Sequence, residues 1–390
     1  MTVKIVGLCI LATLVSVNVY GQYISMEEAM LMQNGISGAG LTRIKAQNEL
    51  GEDYYKTYYR IQLQPEVDLG KIGFGLDLVL LYNPDDDEIR TEDGEEWNSF
   101  SDYLRAIRYI RYGHKNPKEP VYALYGALDY AVIGHGTIME GYSNYDRRGL
   151  CLDLNASEGM YGIETVLDNF ADPNVFGGRL HVRPLQKTGI PIIGKFTFGT
   201  TYITDIDPEP NSEEEVDPLV AFGVDVGMPI IEHNLLLLQL YNDLMFLRYN
   251  EETRKGNATG VGLGLAGGVR FKIEYRQFEE SFRPTIFNYT YEYEKTQEEG
   301  LQFNEKALKG IYSQLTYSLM NKLFFLGAYE DYDETQPNVQ VLLTERGLID
   351  KISLTSLYTK EKIEDFGDIF DLDEKSLLIL RIGYEVFKPF

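Results

Sequence analysis

VRFKIEYRQF, residues 269–278, alternates between apolar and charged side chains along most of its length. One face carries apolar residues and the other carries charged ones: Val269, Phe271, Ile273 and Tyr275 against Arg270, Lys272, Glu274 and Arg276. A helix would bring apolar residues together at spacings of three and four, which this stretch does not show. The alternation predicts a β-strand with one face in an apolar medium and the other in a polar one.

The same two-residue period recurs from one end of the chain to the other. It is clear in YYRIQLQPEVDL (58–69), KIGFGLDLVLLY (71–82), FGGRLHVRPL (176–185) and SLLILRIGYEVFKPF (376–390). Such strands of about ten residues cross a bilayer when they are tilted. The period predicts strands at 38–50, 57–69, 71–82, 102–113, 121–133, 147–155, 159–168, 176–184, 191–203, 219–228, 235–247, 310–319, 322–331, 338–345, 350–360 and 376–390, with two more inside 258–278.

Short and long connections alternate between these predicted strands. Gly70-Lys71 is a two-residue turn, whereas the acidic stretch 83–102 follows the next strand. Likewise, Gly267-Gly268 is a tight turn, and 279–308 is the longest connection. This pattern is typical of a transmembrane antiparallel up-and-down β-barrel, an all-β fold. The count is about eighteen strands, or sixteen if weak strands merge, and the even number needs the strand at 38–50.

The first 21 residues predict a cleaved export signal. Lys4 precedes an apolar run, and Val19 and Gly21 stand at positions −3 and −1 of a cut after residue 21. The alternative is a membrane anchor, but the run is shorter than the roughly 20 residues of a span. Residues 22–36 are predicted to be a short periplasmic segment, helical or disordered, and residues 37–390 the barrel.

Composition excludes several classes of protein. The chain has 36 Lys and Arg residues against 60 Asp and Glu residues, and its net charge of −24 argues against a nucleic-acid partner. Cys151 is the single cysteine after the export signal, so no intramolecular disulfide can form. The most apolar later stretch, 235–247, is interrupted by Gln239, Asn242 and Asp243, which excludes it as a transmembrane helix.

The C-terminal strand carries a family resemblance. Ile382 and Val386 lie on its apolar side, and Phe390 is the last residue. With this strand and the loop pattern, residues 36–390 resemble the bacterial outer-membrane β-barrels of porin-like size, without matching a specific family. The resemblance implies an outer-membrane location and insertion by the barrel assembly machinery through the C-terminal strand, and it leaves a homo-oligomer open. Lys388 departs from the class, which usually has an apolar residue there.

Soluble all-β folds are the structural alternative. A secreted β-sandwich or β-propeller also has alternating strands. A propeller would show internal repeats, and the sequence shows none. The strand length, the alternating loop lengths and the C-terminal strand therefore favour the membrane barrel.

If the apolar faces meet lipid, the opposite faces line the lumen. The predicted pore-lining residues are Arg60, Asp77, Arg179, His181, Arg183, Lys195, Arg270, Lys272, Arg276, Arg381 and Glu385. Acidic residues on the same faces include Asp129, Asp153, Glu164, Asp225, Asp243 and Glu274. Opposed charged walls would select solutes, or the charges would only pair and solvate the interior. Arginines at 105, 108 and 111 cannot all share one strand face, which predicts a bulge or a rim position.

Acidic residues are also concentrated in the predicted loops, at 85–88, 213–215 and 365–373. In one interpretation these loops are only solvated. In the other they bind Ca²⁺ or Mg²⁺, which prefer carboxylate ligands. No stretch matches a dedicated calcium loop, so divalent cations at these loops are the only cofactor considered.

His135, Ser143 and Asn144 resemble, in residue type, the His/Ser/Asn set of outer-membrane phospholipases. In that class, the histidine and serine are two residues apart on one strand, whereas here they are eight apart in a Gly-rich stretch. A nucleophile and its base must share a hydrogen bond, and this spacing does not require one. The sequence therefore predicts no enzyme.

The predicted function is passive, porin-like diffusion of small hydrophilic solutes through a charged lumen. One of the long loops, 83–101 or 279–308, is expected to fold inward and narrow the pore. The alternative is a non-conducting outer-membrane barrel with a structural or surface-binding role.

Overall fold

Strands with the predicted two-residue period form one long antiparallel sheet in the computed structural model of the chain. The structure describes residues 38–47, 53–63, 65–85, 88–90, 100–116, 119–128, 130–144, 147–212, 216–233, 235–297, 300–319, 322–346, 348–350 and 352–384. The predicted signal peptide (1–21), the predicted N-terminal segment (22–36) and residues 385–390 lie outside these ranges.

The strands are β1 (Gly38–Gln47), β2 (Asp53–Leu63), β3 (Glu66–Asp68), β4 (Ile72–Leu76), β5 (Leu78–Asn83), β6 (Glu88–Ile89), β7 (Ile107–Tyr112), β8 (Val121–Gly126), β9 (Ala131–Ile133), β10 (Met139–Tyr142), β11 (Gly149–Ala156), β12 (Tyr161–Leu167), β13 (Val175–Val182), β14 (Thr197–Asp205), β15 (Leu219–His233), β16 (Leu236–Tyr249), β17 (Glu252–Leu265), β18 (Val269–Phe278), β19 (Leu308–Leu319), β20 (Leu323–Tyr332), β21 (Asn338–Arg346), β22 (Ile352–Lys360) and β23 (Ser376–Tyr384). The helices are α1 (Phe100–Arg105), α2 (Tyr291–Glu294) and 3-10 turns at Gln186–Thr188, Ile193–Lys195 and Asp368–Phe370. Among the described residues, no helix has the length and apolar character needed to cross a membrane.

Seventeen of the described strands follow one another around a ring. The order runs from β11 in sequence to β23, then through β3, β4, β7 and β8 back to β11, which closes the barrel. Ring ladders with a defined register are antiparallel, as between β13 and β14, where Arg179 pairs with Thr201. The predicted all-β antiparallel up-and-down barrel is confirmed.

A smaller sheet of β1, β2, β5 and β6 continues from one edge of the ring. β2 runs on into β3, and β4 runs on into β5 with an interruption at Asp77. β1 is antiparallel to β2, with Gly38 opposite Gln62. The strand predicted at 38–50 therefore exists and has the expected direction, but in the described residues it pairs within the smaller sheet.

The strand predicted at 102–113 is partly wrong because its first residues form helix α1. β7 follows and pairs with β4. The register of this ladder shifts between Gly75 and Leu76, which makes Arg108 the extra residue of a bulge. The bulge predicted from the arginine spacing is thus confirmed, and it allows both Arg108 and Arg111 to be buried.

The strand predicted at 121–133 is wrong at its far end. It ends at Gly126, where the chain leaves the barrel wall. Gly126 has a φ of 147°. A Cβ there would lie 2.3 Å from the carbonyl oxygen of Arg108, so only glycine fits this departure point.

The strand predicted at 191–203 begins later, at Thr197. Residues 193–195 form a 3-10 turn instead, because Pro191 cannot donate to a ladder. Lys195 consequently lies in the turn, where its Nζ is 3.1 Å from Glu232. The prediction that Lys195 lies on a strand is therefore wrong.

The two faces of the ring strands have opposite chemistry. On the outer face, large apolar side chains are exposed: Leu180, Phe198, Tyr202, Phe222, Val224, Phe271, Ile273, Tyr275, Ile311, Leu315, Leu378, Leu380 and Ile382. On the inner face, charged side chains are buried: Arg179, Asp225, Asp243, Glu274 and Arg276. Val224 is 53% exposed and its neighbour Asp225 is 8% exposed. This distribution of side chains is the reverse of that in a water-soluble barrel, and it is the one that a barrel surrounded by lipid requires.

Candidate channel lumen

Two segments of the chain fold into the lumen. The first is the β8–β11 insert, residues 127–148, which contains β9 and β10. The second is the β18–β19 loop, residues 279–307, which contains α2. They are joined to each other, because the backbone N–H of Glu140 donates to Phe287 O at 3.1 Å and Met139 forms a β-bridge to Phe287. Met139 and Phe287 are fully buried.

The insert reaches wall strands that are far apart in the ring. Its Gly134 N–H donates to Glu164 Oε2 on β12 at 2.9 Å. Its Tyr130 packs against Phe324 on β20, with ring centroids 5.9 Å apart. β12 and β20 are eight places apart in the ring order. The insert therefore crosses the lumen.

Arg179 on β13 is held between a carboxylate on β15 and a carboxylate on β12. Its Nε and Nη2 donate to Asp225 on β15 at 2.8 and 2.7 Å, and its Nη1 donates to Glu164 at 2.7 Å. Such bidentate, charge-assisted bonds are among the strongest that side chains make. Arg179, one of the predicted pore-lining cations, is thus compensated by two carboxylates.

His135 fixes the tip of the insert against the next wall strand. Its Nδ1 lies 2.7 Å from Asp243 Oδ1 on β16. The other oxygen, Oδ2, accepts from Thr137 Oγ1 at 2.7 Å. The His135 ring also stacks on Tyr241, with centroids 4.3 Å apart. Both oxygens of a wall carboxylate are therefore used to dock the insert.

Glu274 on β18 is the centre of a second charged cluster. The carboxylate accepts from Tyr241 Oη at 2.5 Å and from Arg276 Nε at 2.6 Å, and Lys272 Nζ lies 3.6 Å away. The Arg276 guanidinium stacks over Tyr312, 3.7 Å from the ring centre. Glu274 is fully buried, so its charge is stabilised by this cluster alone among the described residues.

Lys272 connects this cluster to the insert. Its Nζ is 2.5 Å from Glu140 Oε2 and 3.5 Å from the carbonyl oxygen of His135. The insert is therefore bound on one side to Glu164, a partner of Arg179, and on the other to Lys272. The first attachment is a hydrogen bond to a carboxylate and the second is an ion pair, and both suit a segment that sits among polar walls.

Buried ion pairs also hold the β18–β19 loop. Lys295 Nζ lies 2.8 Å from Asp205 Oδ2, and Tyr291 Oη donates to the same oxygen at 2.8 Å. Tyr142 of the insert donates to Glu292 Oε1 at 2.7 Å. The loop, the insert and the wall form one connected polar structure.

An ion pair between Arg283 and Glu294 braces the same loop. Arg283 donates to both oxygens of Glu294, at 2.5 and 3.1 Å. Burial alone would raise the pKa of the Glu294 carboxyl, but the Arg283 guanidinium and a hydrogen bond from Thr290 lower the pKa overall. The loop therefore keeps Glu294 ionised at neutral pH.

The predicted pore-lining residues fall into three groups. Six belong to the inner face of the ring: Arg179, His181, Arg183, Arg270, Lys272 and Arg276. Arg60 lies in the smaller sheet on the side opposite the exposed Tyr59 and Ile61, and Asp77 lies at the break between β4 and β5. The side chain of Arg381 and the whole of Glu385 lie outside the described part. That these residues line a conducting pore remains a prediction.

The inward fold of 279–308 agrees with the expectation that a long loop enters the lumen, and most of 83–101 lies outside the described residues. The insert was missed. Its signal is the loss of alternation after Gly126, followed by Gly134 and Gly136 with φ values of 62° and 85°. The two-residue period of the strands does not predict the position of a segment that lacks this period.

Two of the three residues considered for catalysis, His135 and Asn144, have other roles in the described structure. His135 binds Asp243, as described above. The Asn144 Oδ1 accepts from the Leu128 N–H at 2.8 Å, and its Nδ2 donates to Asp168 O at 2.6 Å. Asn144 thus holds the base of the insert to the wall.

No protein-family model matches the chain, and no curated protein matches its sequence. A search of solved structures finds similarity to several porins. OpdQ of Pseudomonas aeruginosa is 10% identical with a TM-score of 0.38, over 89% of this chain and 94% of that chain. OccK2 (OpdF) of P. aeruginosa, solved in complex with glucuronate, is 10% identical with a TM-score of 0.38, over 89% and 96%. A BenF-like porin from P. fluorescens Pf-5 is 9% identical with a TM-score of 0.37, over 89% and 98%. Scores of this size assign neither a family nor a solute, so the fold rests on the chain's own ladders.

Proposed function

We propose that the protein is an outer-membrane channel for the passive diffusion of small hydrophilic solutes. The observation that carries the proposal is the inversion of the ring strands, which have apolar side chains outside and charged side chains inside. An apolar outer surface needs lipid. A charged interior needs water or paired ions, and a ring of this many strands is wide enough for an aqueous path.

Selection by charge is the mechanism that follows from this interior. A solute moving down its gradient would pass between basic and acidic walls, whose field discriminates by charge. Arg179 is already compensated by two carboxylates. Arg183 is less so, since its Nε donates to the Thr197 hydroxyl at 3.2 Å. We infer that Arg183, next to the compensated Arg179, gives the lumen its anion-attracting section.

The remaining parts of the proposal come from the sequence. Residues 1–21 would direct export and be cleaved, and the C-terminal strand would be read by the barrel assembly machinery. β23 pairs with β22 over nine residues, which supports a regular final strand. Divalent cations at the acidic loops and a homo-oligomer are retained as expectations. No catalytic step is proposed, and phospholipid hydrolysis that is lost in His135→Ala would contradict this.

A non-conducting barrel is the second candidate. The polar attachments of the β8–β11 insert on both sides of the lumen favour it, because a firmly held insert would block the path. The barrel would then serve as a structural or surface-binding protein.

Conductance in planar bilayers distinguishes the two. The full chain should give discrete current steps, and a variant with residues 130–143 replaced by a Gly-Ser linker should give larger ones. A matched control replaces the mostly exposed loop 361–375 and should leave the step size unchanged. Circular dichroism confirms that each variant retains its strands. Steps seen only after removal of the insert would favour the non-conducting barrel, and no steps in any variant would contradict the channel.

A further inference from the structure

The place where the insert meets the wall contains a small polar cavity. Its volume is about 10 Å³, which is the space of a single water molecule or ion. The polar side chains at its lining are His135, Thr137, Thr201, Asp225 and Asp243. Those of Thr201, Asp225 and Asp243 come from three consecutive strands, β14, β15 and β16, and the other two come from the insert.

Three of these residues have metal-binding atoms close together. One ligand atom each from His135, Asp225 and Asp243 lies within 4.8 Å of the other two. A four-coordinate ion with bonds of about 2.0–2.2 Å needs neighbouring ligands roughly 3.4 Å apart. The three atoms would therefore move together by roughly an ångström around an ion, which is within the reach of side-chain rotation.

Thr201 adds a hydroxyl to the same cavity. The residue is 8% exposed and lines the cavity. Among the described residues its hydroxyl makes no hydrogen bond, so it is available to a ligand there. A metal ion or a metal-bound water in the cavity would provide a partner.

The charge around the cavity also calls for a cation. Two carboxylates line it, Asp225 and Asp243. The guanidinium of Arg179 compensates Asp225, and Asp243 lies against the His135 ring. A cation would balance the negative charge that remains when His135 is neutral.

We propose that His135, Asp225 and Asp243 bind one divalent transition-metal ion of the Zn²⁺ class, with Thr201 facing the ion. An imidazole nitrogen with two carboxylates suits Zn²⁺ and similar ions, whereas Ca²⁺ and Mg²⁺ prefer six or more oxygens. Asp225 keeps its bond to Arg179 through one oxygen and gives the other to the ion. The metal would fasten the insert to β15 and β16.

Calorimetric titration of the full chain in detergent, after removal of metals with a chelator, tests the site directly. ZnCl₂ should bind with a stoichiometry near one, and MgCl₂ and CaCl₂ should bind at least about tenfold more weakly. Co²⁺ in place of Zn²⁺ should give the visible absorption of a low-coordinate nitrogen-and-oxygen site. This measurement does not need the barrel to conduct, so it stands or fails separately from the channel function.

Variants locate the ion. His135→Ala and Asp243→Asn should each weaken Zn²⁺ binding by about 10- to 100-fold or more. His233→Ala, the matched control, changes an exposed histidine at the end of β15 that does not line this cavity and should bind as the full chain does. If His135→Ala does not fold, Thr201→Val offers a milder test, with a loss of several-fold expected. Zn²⁺ binding that is unchanged in Asp243→Asn, or equal for Mg²⁺ and Zn²⁺, would overturn the proposal and place the ions at the acidic loops.

Discussion

The inner and outer faces of strands β13 to β18 differ in how their side chains are stabilised. On the outer face, exposed residues such as Val224 and Phe271 have few partners and depend on the medium around them. On the inner face, buried residues such as Arg179, Asp243 and Glu274 depend on particular atoms at 2.5–2.8 Å. The outer face therefore tolerates any apolar side chain, whereas the inner face tolerates few changes at all.

The largest effect should come from breaking the inner cluster at Glu274. Glu274→Ala removes the carboxylate that compensates Arg276 and leaves that guanidinium buried. Removal of one member of a buried ion pair costs about 3–5 kcal/mol of unfolding free energy. Urea unfolding in lipid vesicles, followed by far-ultraviolet circular dichroism, measures the change in unfolding free energy.

A double variant is the control for this interpretation. Glu274→Leu combined with Arg276→Met removes both charges and fills similar space, so it should recover a good part of the lost stability. If the double variant were as unstable as Glu274→Ala, packing and not the uncompensated charge would explain the loss.

The same comparison can be tested from the outer face. Val224→Arg places a charge on an exposed position of β15 and should cost about 2–4 kcal/mol in a bilayer if this position is near the midplane. Thr253→Arg, near the end of β17, should cost no more than about 1 kcal/mol. Equal costs at the two positions in vesicle unfolding would show that Val224 does not face lipid.

The outer face is the part of the fold that sequence alone predicts well. In a strand with one apolar face, such as 269–278, the alternation alone predicts which side chains share a face, how long the strand is and what surrounds each face. Each position contributes to this pattern independently. The ladders follow from this pattern, and so does the tight turn at Gly267-Gly268, whose φ values are 92° and 84°.

The lumen could be predicted only in composition. Alternation places Arg179 and Asp225 on the inner face, but it does not say that they pair, since the pairing depends on strands 46 residues apart. The insert is less predictable still. Its position rests on His135 reaching Asp243 across 108 residues, and no local pattern encodes such a contact.

Ion selectivity gives a smaller effect on the inner face. Arg179→Ala leaves the carboxylates of Asp225 and Glu164 without their shared cation, so the lumen becomes more negative. Two such charges near the path should favour cations by about 0.5–1 kcal/mol, roughly two- to fivefold in permeability ratio. The reversal potential in a salt gradient measures it, and Arg183→Ala should shift it in the same direction.

A turn lysine is the matched control for selectivity. Lys187→Ala removes one positive charge from the connection between β13 and β14, outside the inner face. It should leave the reversal potential within error. A shift as large as that of Arg179→Ala would mean that net charge, and not the position in the lumen, sets selectivity.

The smallest effect concerns an ion pair with one exposed partner, in contrast to the ion pairs of the lumen in which both partners are buried. Lys360 Nζ, at the end of β22, donates to Asp373 Oδ1 in the following loop at 2.6 Å. This bond and the one from the Lys375 N–H lower the pKa of the Asp373 carboxyl below its usual 3.8. A lowered folded-state pKa stabilises the loop above the usual value, and this contribution disappears as the pH falls through the lowered pKa. A carboxyl-carbon NMR titration should show the lowered midpoint, and Lys360→Met should move it back toward 3.8. An unchanged midpoint in Lys360→Met would mean that the backbone donor alone lowers the pKa of Asp373. The Lys360–Asp373 ion pair would then add no stability, unlike the ion pairs of the lumen.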